Sequence, residues 1–328
     1  MAALPVIAAV LLLAGPRARV EGDWHVPEIG PDVDAYVRAS EARVPDLRPG
    51  DGKRILWADT ATHAPTPLAI VYLHGFSADP HEVEPLVSEL VRDLGANAYF
   101  QRLAGHGRAA AAMGEVEADD WLSDAAEAVA VGARLGDRVI LMGTSTGGTL
   151  AAWAALQPEL ERDVAAVVLL SPNFQPADHS TKMLLWPWGG LIARMVVGPE
   201  RCFETHNPAQ ARHWTSCYPT SVLLPMMAIV EHVRTSDLEA ARTPLLVAYA
   251  PDDRIVDTGE IRSAFERWGT PAKRLLAVAT PGDPDRHVLA GDILSPHTTE
   301  LVRAAILDFL RDPARVLPLP IENRPAGH

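Results

Sequence analysis

Residues 138–148 read RVILMGTSTGG. The run RVILM is apolar enough for a buried strand, and the glycines behind it end that strand. Gly143-Thr144-Ser145-Thr146-Gly147 then matches G-x-S-x-G, the pattern in which a strand bends so sharply into a helix that a serine projects from the turn. Strand and helix nearly touch at such a bend, so the residues two before and two after the serine must be small. Gly143 and Gly147 meet that demand, and Gly148 gives further room. A glycine-rich turn with a solvent-facing serine is the bland alternative. The strand before the turn and the helical pattern after it favour the first reading.

The flanking chain continues the rhythm. Strands are expected at 53–58, 68–73 (LAIVYL), 97–103, 164–170 (VAAVVLL), 244–250 (PLLVAYA) and 274–279. Helices are expected at 85–94, closed by Gly95, at 119–135, at 148–156, and at 296–310 with Ser295 as N-cap. Near-continuous apolar strands alternating with helices predict an α/β fold, a mostly parallel sheet with helices on both faces. The interval 172–242 breaks the alternation. It carries Met183, Trp186, Trp188, Met195, Trp214, Met226 and Met227 among prolines, without a clear buried strand. It predicts a helical cap insertion over the C-terminal edge of the sheet, where α/β proteins bind ligands. The alternative is an ordinary αβ unit whose strand is hard to see. The expected division is therefore an N-terminal hydrophobic segment at 1–20, a core at 50–172, a cap at 173–242, a second core part at 243–312 and a tail at 313–328.

Composition excludes other classes. The chain has 328 residues, 48% hydrophobic and 22% charged, which suits a globular protein with an ample core. A net charge of −13 repels phosphate backbones, so nucleic acid is not an expected partner. Cys202 and Cys217 cannot make a zinc site by themselves. They either form a bridge in an oxidising compartment or pack as two buried thiols. The uncharged run at 2–15 matches the length of an export-signal core better than that of a bilayer span. Arg17 and Arg19 follow it and no cation precedes it, which is the wrong polarity for export. The expectation is an exported (periplasmic or secreted) or membrane-tethered protein, close to a membrane through this segment. A buried N-terminal segment in a cytoplasmic protein is the alternative.

A serine hydroxyl is a weak nucleophile at neutral pH, so it needs a base, and the base needs an orienting acid. After the strand PLLVAYA comes PDDRIVD, residues 251–257, and after RLLAVA comes DPDRHVL, residues 283–289. Both loops lie beyond the C-terminal ends of their strands, on the same sheet edge as Ser145. His287 is the expected base. Asp252, Asp253 and Asp257 compete for the acid. Asp253 is the choice, because Asp257 stands where the next helix would be capped and Asp252 suits a turn. His74-Gly75-Phe76 follows the strand LAIVYL, so the backbone N–H of Phe76, with that of Thr146, can face a developing oxyanion. His74 and His106 read as braces for their loops.

Together HGF, LAGHG (103–107), GTSTGG, PDDRIVD and RHVL resemble the α/β-hydrolase superfamily, in particular its monoacylglycerol-lipase and carboxylesterase branch, grouped with serine aminopeptidase S33 domains. The resemblance spans roughly residues 53–312. It is weak over 172–242; Ala104 stands where the family often has Pro, and Tyr249-Ala250-Pro251 where it often has Gly before the loop of the acid. It implies the α/β-hydrolase fold, a triad of Ser145, Asp253 and His287, and oxyanion donors Phe76 and Thr146, with no metal or organic cofactor. The expected substrate is a small acyl ester, and the Trp- and Met-rich interval 172–242 suggests an apolar acyl group. A peptidase, amidase or thioesterase on the same triad, and a non-catalytic binding protein, are the alternatives.

Overall fold

The structure is a computed structural model that describes residues 14–312; the apolar run up to residue 13 and the tail at 313–328 lie outside the described residues. Seven strands form one sheet: β1 (Arg54–Leu56), β2 (Thr66–Leu73), β3 (Asn97–Gln101), β4 (Gly136–Thr144), β5 (Val164–Leu170), β8 (Leu245–Tyr249) and β9 (Lys273–Ala277), in the order β1-β3-β2-β4-β5-β8-β9. Every pairing is parallel except β1 with β3.

The apolar strands bury both faces because successive side chains alternate sides. Ala69, Val71 and Leu73 of β2, with Val139 and Leu141 of β4, pack on one face. There they meet helices α1 (Val33–Glu41), α3 (Ala118–Leu135) and α4 (Thr146–Ala154). Ile70, Tyr72, Ile140 and Met142 point the other way, onto α2 (Leu86–Leu94) and α10 (Pro296–Leu310). Helix α2 ends where expected, with Gly95 left-handed at φ 58°. Lys53 reaches across the first layer to Glu127 on α3 at 2.6 Å, a nearly buried ion pair that Tyr36 and Gln101 complete.

Between β5 and β8 the chain does more than add helices. A 3-10 turn (His179–Leu185) leads to α6 (Gly189–Val196). A two-stranded antiparallel ribbon follows, β6 (Glu200–Cys202) with β7 (Cys217–Pro219), enclosing α7 (Pro208–His213). Cys202 and Cys217 face each other in that ribbon and are joined by a disulfide, their Cα atoms 4.1 Å apart. The ribbon strands have three residues each, too short for a periodic signal to reveal them. Helix α8 (Leu223–Thr235) then returns to the core, where Met227, Ile229 and Val233 are fully buried. α5 (Pro158–Glu161) and α9 (Thr258–Arg267) complete the helices among the described residues.

Candidate active site

Ser145 sits at the end of β4 with φ 53° and ψ −119°, a conformation that an L-residue adopts only under constraint. The constraint is visible. Its N–H donates to the Leu170 carbonyl at 2.9 Å, and its own carbonyl accepts from Asn173 and Thr149. A Cβ on Gly143 would lie 2.2 Å from the Gly147 carbonyl oxygen, and one on Gly147 2.1 Å from that of Leu73. Both glycines are therefore required by the close approach of strand and helix.

Asp253 and His287 meet at the sheet edge. His287 Nδ1 lies 2.9 Å from Asp253 Oδ2, while Asp253 Oδ1 accepts from the N–H groups of Ile255 and Val256. Asp252 is exposed and only loosely paired with Arg286. Asp257 caps α9 through Gly259 and Glu260 and pairs with His179. Burial pulls the His287 pKa down, but the charge and hydrogen bond of Asp253, with Asp283 and Glu82 nearby, outweigh it and leave the pKa raised.

The loop that presents His287 is built by two residues not assigned this role from sequence. Asp283 Oδ2 accepts the N–H of both His287 and Val288. Ser295 stands at the N-cap of α10, yet its hydroxyl makes no cap; it accepts from Asp283 N–H and donates to the Val288 carbonyl. Sequence proximity alone signalled Asp283. Nothing local signalled that Ser295 would serve another loop.

On the opposite side, the loop after β2 carries Phe76. Its N–H and that of Thr146 donate to no protein acceptor among the described residues, so both are available to a ligand. Two histidines brace this loop, as the reading of His74 and His106 expected. His74 Nε2 accepts from Leu103 N–H, and His106 Nε2 accepts from Ser77 N–H. An acceptor nitrogen must be unprotonated, and burial, against the pull of the Gly75 carbonyl, holds the His74 pKa down to about 4. A further brace is Glu82, which the sequence reading did not single out. Its Oε1 accepts from Tyr72 Oη and Gly75 N–H, each at 2.6 Å. Burial raises its pKa to about 7 against those two hydrogen bonds. A Cβ on Gly75 would lie 3.4 Å from Ser145 Cβ, so this braced backbone passes directly beside the serine.

The cap closes over these loops. Ser145 and His287 are each only 8% exposed. Trp214 packs with Ala78 of one loop and with Val288 and Leu294 of the other. Thr215 N–H donates to the Ser77 carbonyl at 2.7 Å. Trp186 and Trp188 are 56% and 38% exposed, and the Trp188 N–H meets the Pro16 carbonyl of the N-terminal arm. Phe76 stacks edge-on against Tyr218 and Trp121, at 5.0 and 6.1 Å between centroids.

Residues 65–280 match the family described as serine aminopeptidase, S33. The chain belongs to the serine aminopeptidase S33 family. This α/β-hydrolase is 23% identical, over 212 residues, to a thermostable monoacylglycerol lipase of Bacillus sp. (strain H-257), with 64% of this chain and 80% of the relative covered. Its fold also matches a solved structure from work on LipS and LipT, two metagenome-derived lipolytic enzymes, with a TM-score of 0.66 and 19% identity, covering 81% of this chain and 99% of that one. Two further matches are a monoacylglycerol lipase of Paleococcus ferrophilus and a soluble variant of monoglyceride lipase from Saccharomyces cerevisiae. The first has a TM-score of 0.57, 14% identity and coverage of 79% and 97%; the second 0.58, 13%, and 79% and 91%. At these identities the structural likeness speaks for the fold, and it agrees with the α/β architecture expected from sequence.

Proposed function

We propose that this S33-family α/β-hydrolase cleaves carboxylic esters through Ser145, His287 and Asp253. The observation that carries the reading is the Asp253–His287 hydrogen bond, at the same sheet edge as a serine in a strained elbow. Ser145 Oγ attacks the acyl carbonyl while His287 Nε2 takes its proton. The tetrahedral oxyanion lies against the N–H groups of Phe76 and Thr146. His287 then gives the proton to the leaving alcohol, and the acyl group stays on Ser145. Water, deprotonated by the same imidazole, releases the acid and restores the serine. Asp253 holds the imidazole tautomer that leaves Nε2 free to accept, and it stabilises the imidazolium as it forms.

The buried apolar closure by Trp214, Val288 and Leu294 supports an apolar acyl group. The lipase relatives support an ester over an amide. The family description, serine aminopeptidase, keeps peptide substrates as the second reading. An aminopeptidase needs a carboxylate to receive the substrate amine. In the interval between β5 and β8, Glu231 is committed to Arg234, and Glu200 and Glu204 are exposed. Hydrolysis of p-nitrophenyl esters from acetate to palmitate, with an aminoacyl p-nitroanilide alongside, tests the choice. Turnover of a mid-length ester above that of the anilide is expected; the reverse order overturns the ester reading. The disulfide and the apolar N-terminal run together support an exported or membrane-tethered protein. The exposed Leu191, Met195 and Val196 of α6 support a position beside a membrane.

A further inference from the structure

Asp79, His81 and His213 gather three metal-ligating side chains away from the proposed triad. Asp79 and His81 lie in the loop after β2, three and five residues beyond Phe76. His213 is the last residue of α7, in the cap. His81 Nδ1 is 3.0 Å from Asp79 Oδ1, and His213 Nδ1 is 2.8 Å from Asp79 Oδ2. The two rings face each other at 4.6 Å between centroids. One donor atom from each residue falls within 4.8 Å of the others.

We propose that Asp79, His81 and His213 form a binding site for a divalent first-row cation, zinc foremost, that pins the cap to the loop of Phe76. Three features carry this. The donor set of two imidazole nitrogens and one carboxylate oxygen is one that zinc accepts, with a fourth position left for water. Asp79 is wholly buried, and its partners are the two imidazoles and the His81 N–H, at 2.7 Å from Oδ1. A buried carboxylate in such company is a strong electrostatic attractor for a cation. The two imidazole side chains are 29% and 21% exposed, which leaves a path for the ion and for a water ligand.

A metal there joins segments already in register. Thr215, two residues past His213, donates to the Ser77 carbonyl, two residues before Asp79. The ion would fix the cap relative to this loop whatever the reaction, so the proposal stands apart from the ester reading. A second cluster, His206 with Asp283 and Asp285, is a useful contrast. There Asp283 Oδ2 accepts two backbone N–H groups, those of His287 and Val288, whereas Asp79 accepts one, from His81, and the His206 ring pairs with Asp285.

The test uses the full chain, stripped with a chelator and titrated with zinc chloride by calorimetry, with melting followed in parallel. One equivalent is expected to bind and to raise the melting temperature. Cobalt(II) added in place of zinc should give the visible absorption of a four- or five-coordinate site. His213→Gln and His81→Gln keep a hydrogen-bond donor toward Asp79 but remove the imidazole. Each should weaken zinc binding by roughly 100-fold while the melting temperature of the metal-free protein stays close to that of the parent. His206→Gln should bind zinc as the parent does. Absence of saturable binding in the parent, or stoichiometric binding that survives His213→Gln, overturns the proposal.

Discussion

Asp253 splits its carboxylate between two tasks: Oδ2 meets His287 Nδ1 at 2.9 Å, and Oδ1 accepts the N–H groups of Ile255 and Val256. The backbone bonds fix the carboxylate, and the carboxylate fixes the ring. Asp253→Asn keeps the shape but turns a donor amide or a neutral acceptor toward the imidazole. Ester kcat should fall by roughly 10³–10⁴-fold, whereas Asp252→Asn, on an exposed side chain, should change it little. The raised pKa of His287 sets the pH profile. The imidazole must be neutral to accept the serine proton, so kcat/KM should decline on the acid side with a midpoint above the ordinary imidazole value of about 6.5. Removing the negative charge in Asp253→Asn should lower the His287 midpoint measured by NMR titration. A greater loss from Asp252→Asn would reject the assignment of the acid.

The hydrogen bond from Gly75 N–H to Glu82 is a second contact on which turnover is expected to depend. Removing the carboxylate frees the Gly75 N–H and the Tyr72 hydroxyl, and the backbone that leads to Phe76 loses its brace. Loss of an oxyanion donor outright costs about 10²–10³ in kcat, so Glu82→Ala should cost about 10–100-fold, with KM for a soluble ester little changed. Glu82→Gln retains an oxygen that can accept from Gly75 and should recover much of the rate. A loss confined to KM, or equal losses in both variants, would contradict the positioning role.

How much of this could be read beforehand follows the range of the interactions. The elbow was legible because its demands are local: a strand, two small residues and a serine within five positions. The α/β class was legible from the same apolar runs that divide between the two faces of the sheet, such as Ile70 and Val71. Asp253 and His287 were legible through position, since loops at one sheet edge must converge. Glu82, Asp283 and Ser295 were not, because their partners are mostly backbone N–H and C=O groups that carry no sequence signal, and Tyr72, the side-chain partner of Glu82, is ten residues away with nothing local to pair them. The cap was the least legible. Its ribbon strands have three residues each, and its tryptophans looked alike, although the fold buries Trp214 between the site loops and leaves Trp186 in solvent.

That difference between tryptophans makes a prediction about substrate choice. Trp214→Ala opens space beside Ala78 and Val288, next to both loops. It should shift the preferred ester toward longer or bulkier acyl groups, seen as a change of several-fold in the ratio of kcat/KM between butyrate and decanoate esters. Trp186→Ala should leave that ratio alone. Equal effects from the two substitutions would remove Trp214 from the acyl site.

The Cys202–Cys217 bridge ties the two short strands around α7. A loop of fifteen residues, closed covalently, restricts the unfolded chain by about 3 kcal/mol in the chain-entropy picture. Thiol counting in denaturant should find no free thiol before reduction and two after. The Cys202→Ser, Cys217→Ser double variant should melt at a lower temperature than the oxidised parent. Two free thiols in protein from an oxidising compartment would contradict the pairing.

An activated Ser145 that forms an acyl-enzyme is expected to react with a mechanism-based serine probe. A fluorophosphonate probe reacts with such a serine and leaves a stable adduct whose mass and position can be read by peptide mapping. One adduct per chain is predicted, on Ser145, formed quickly in the parent, abolished in Ser145→Ala and slowed by orders of magnitude in His287→Ala. An intact parent protein that takes up no probe, or takes it up on another residue, would contradict the account.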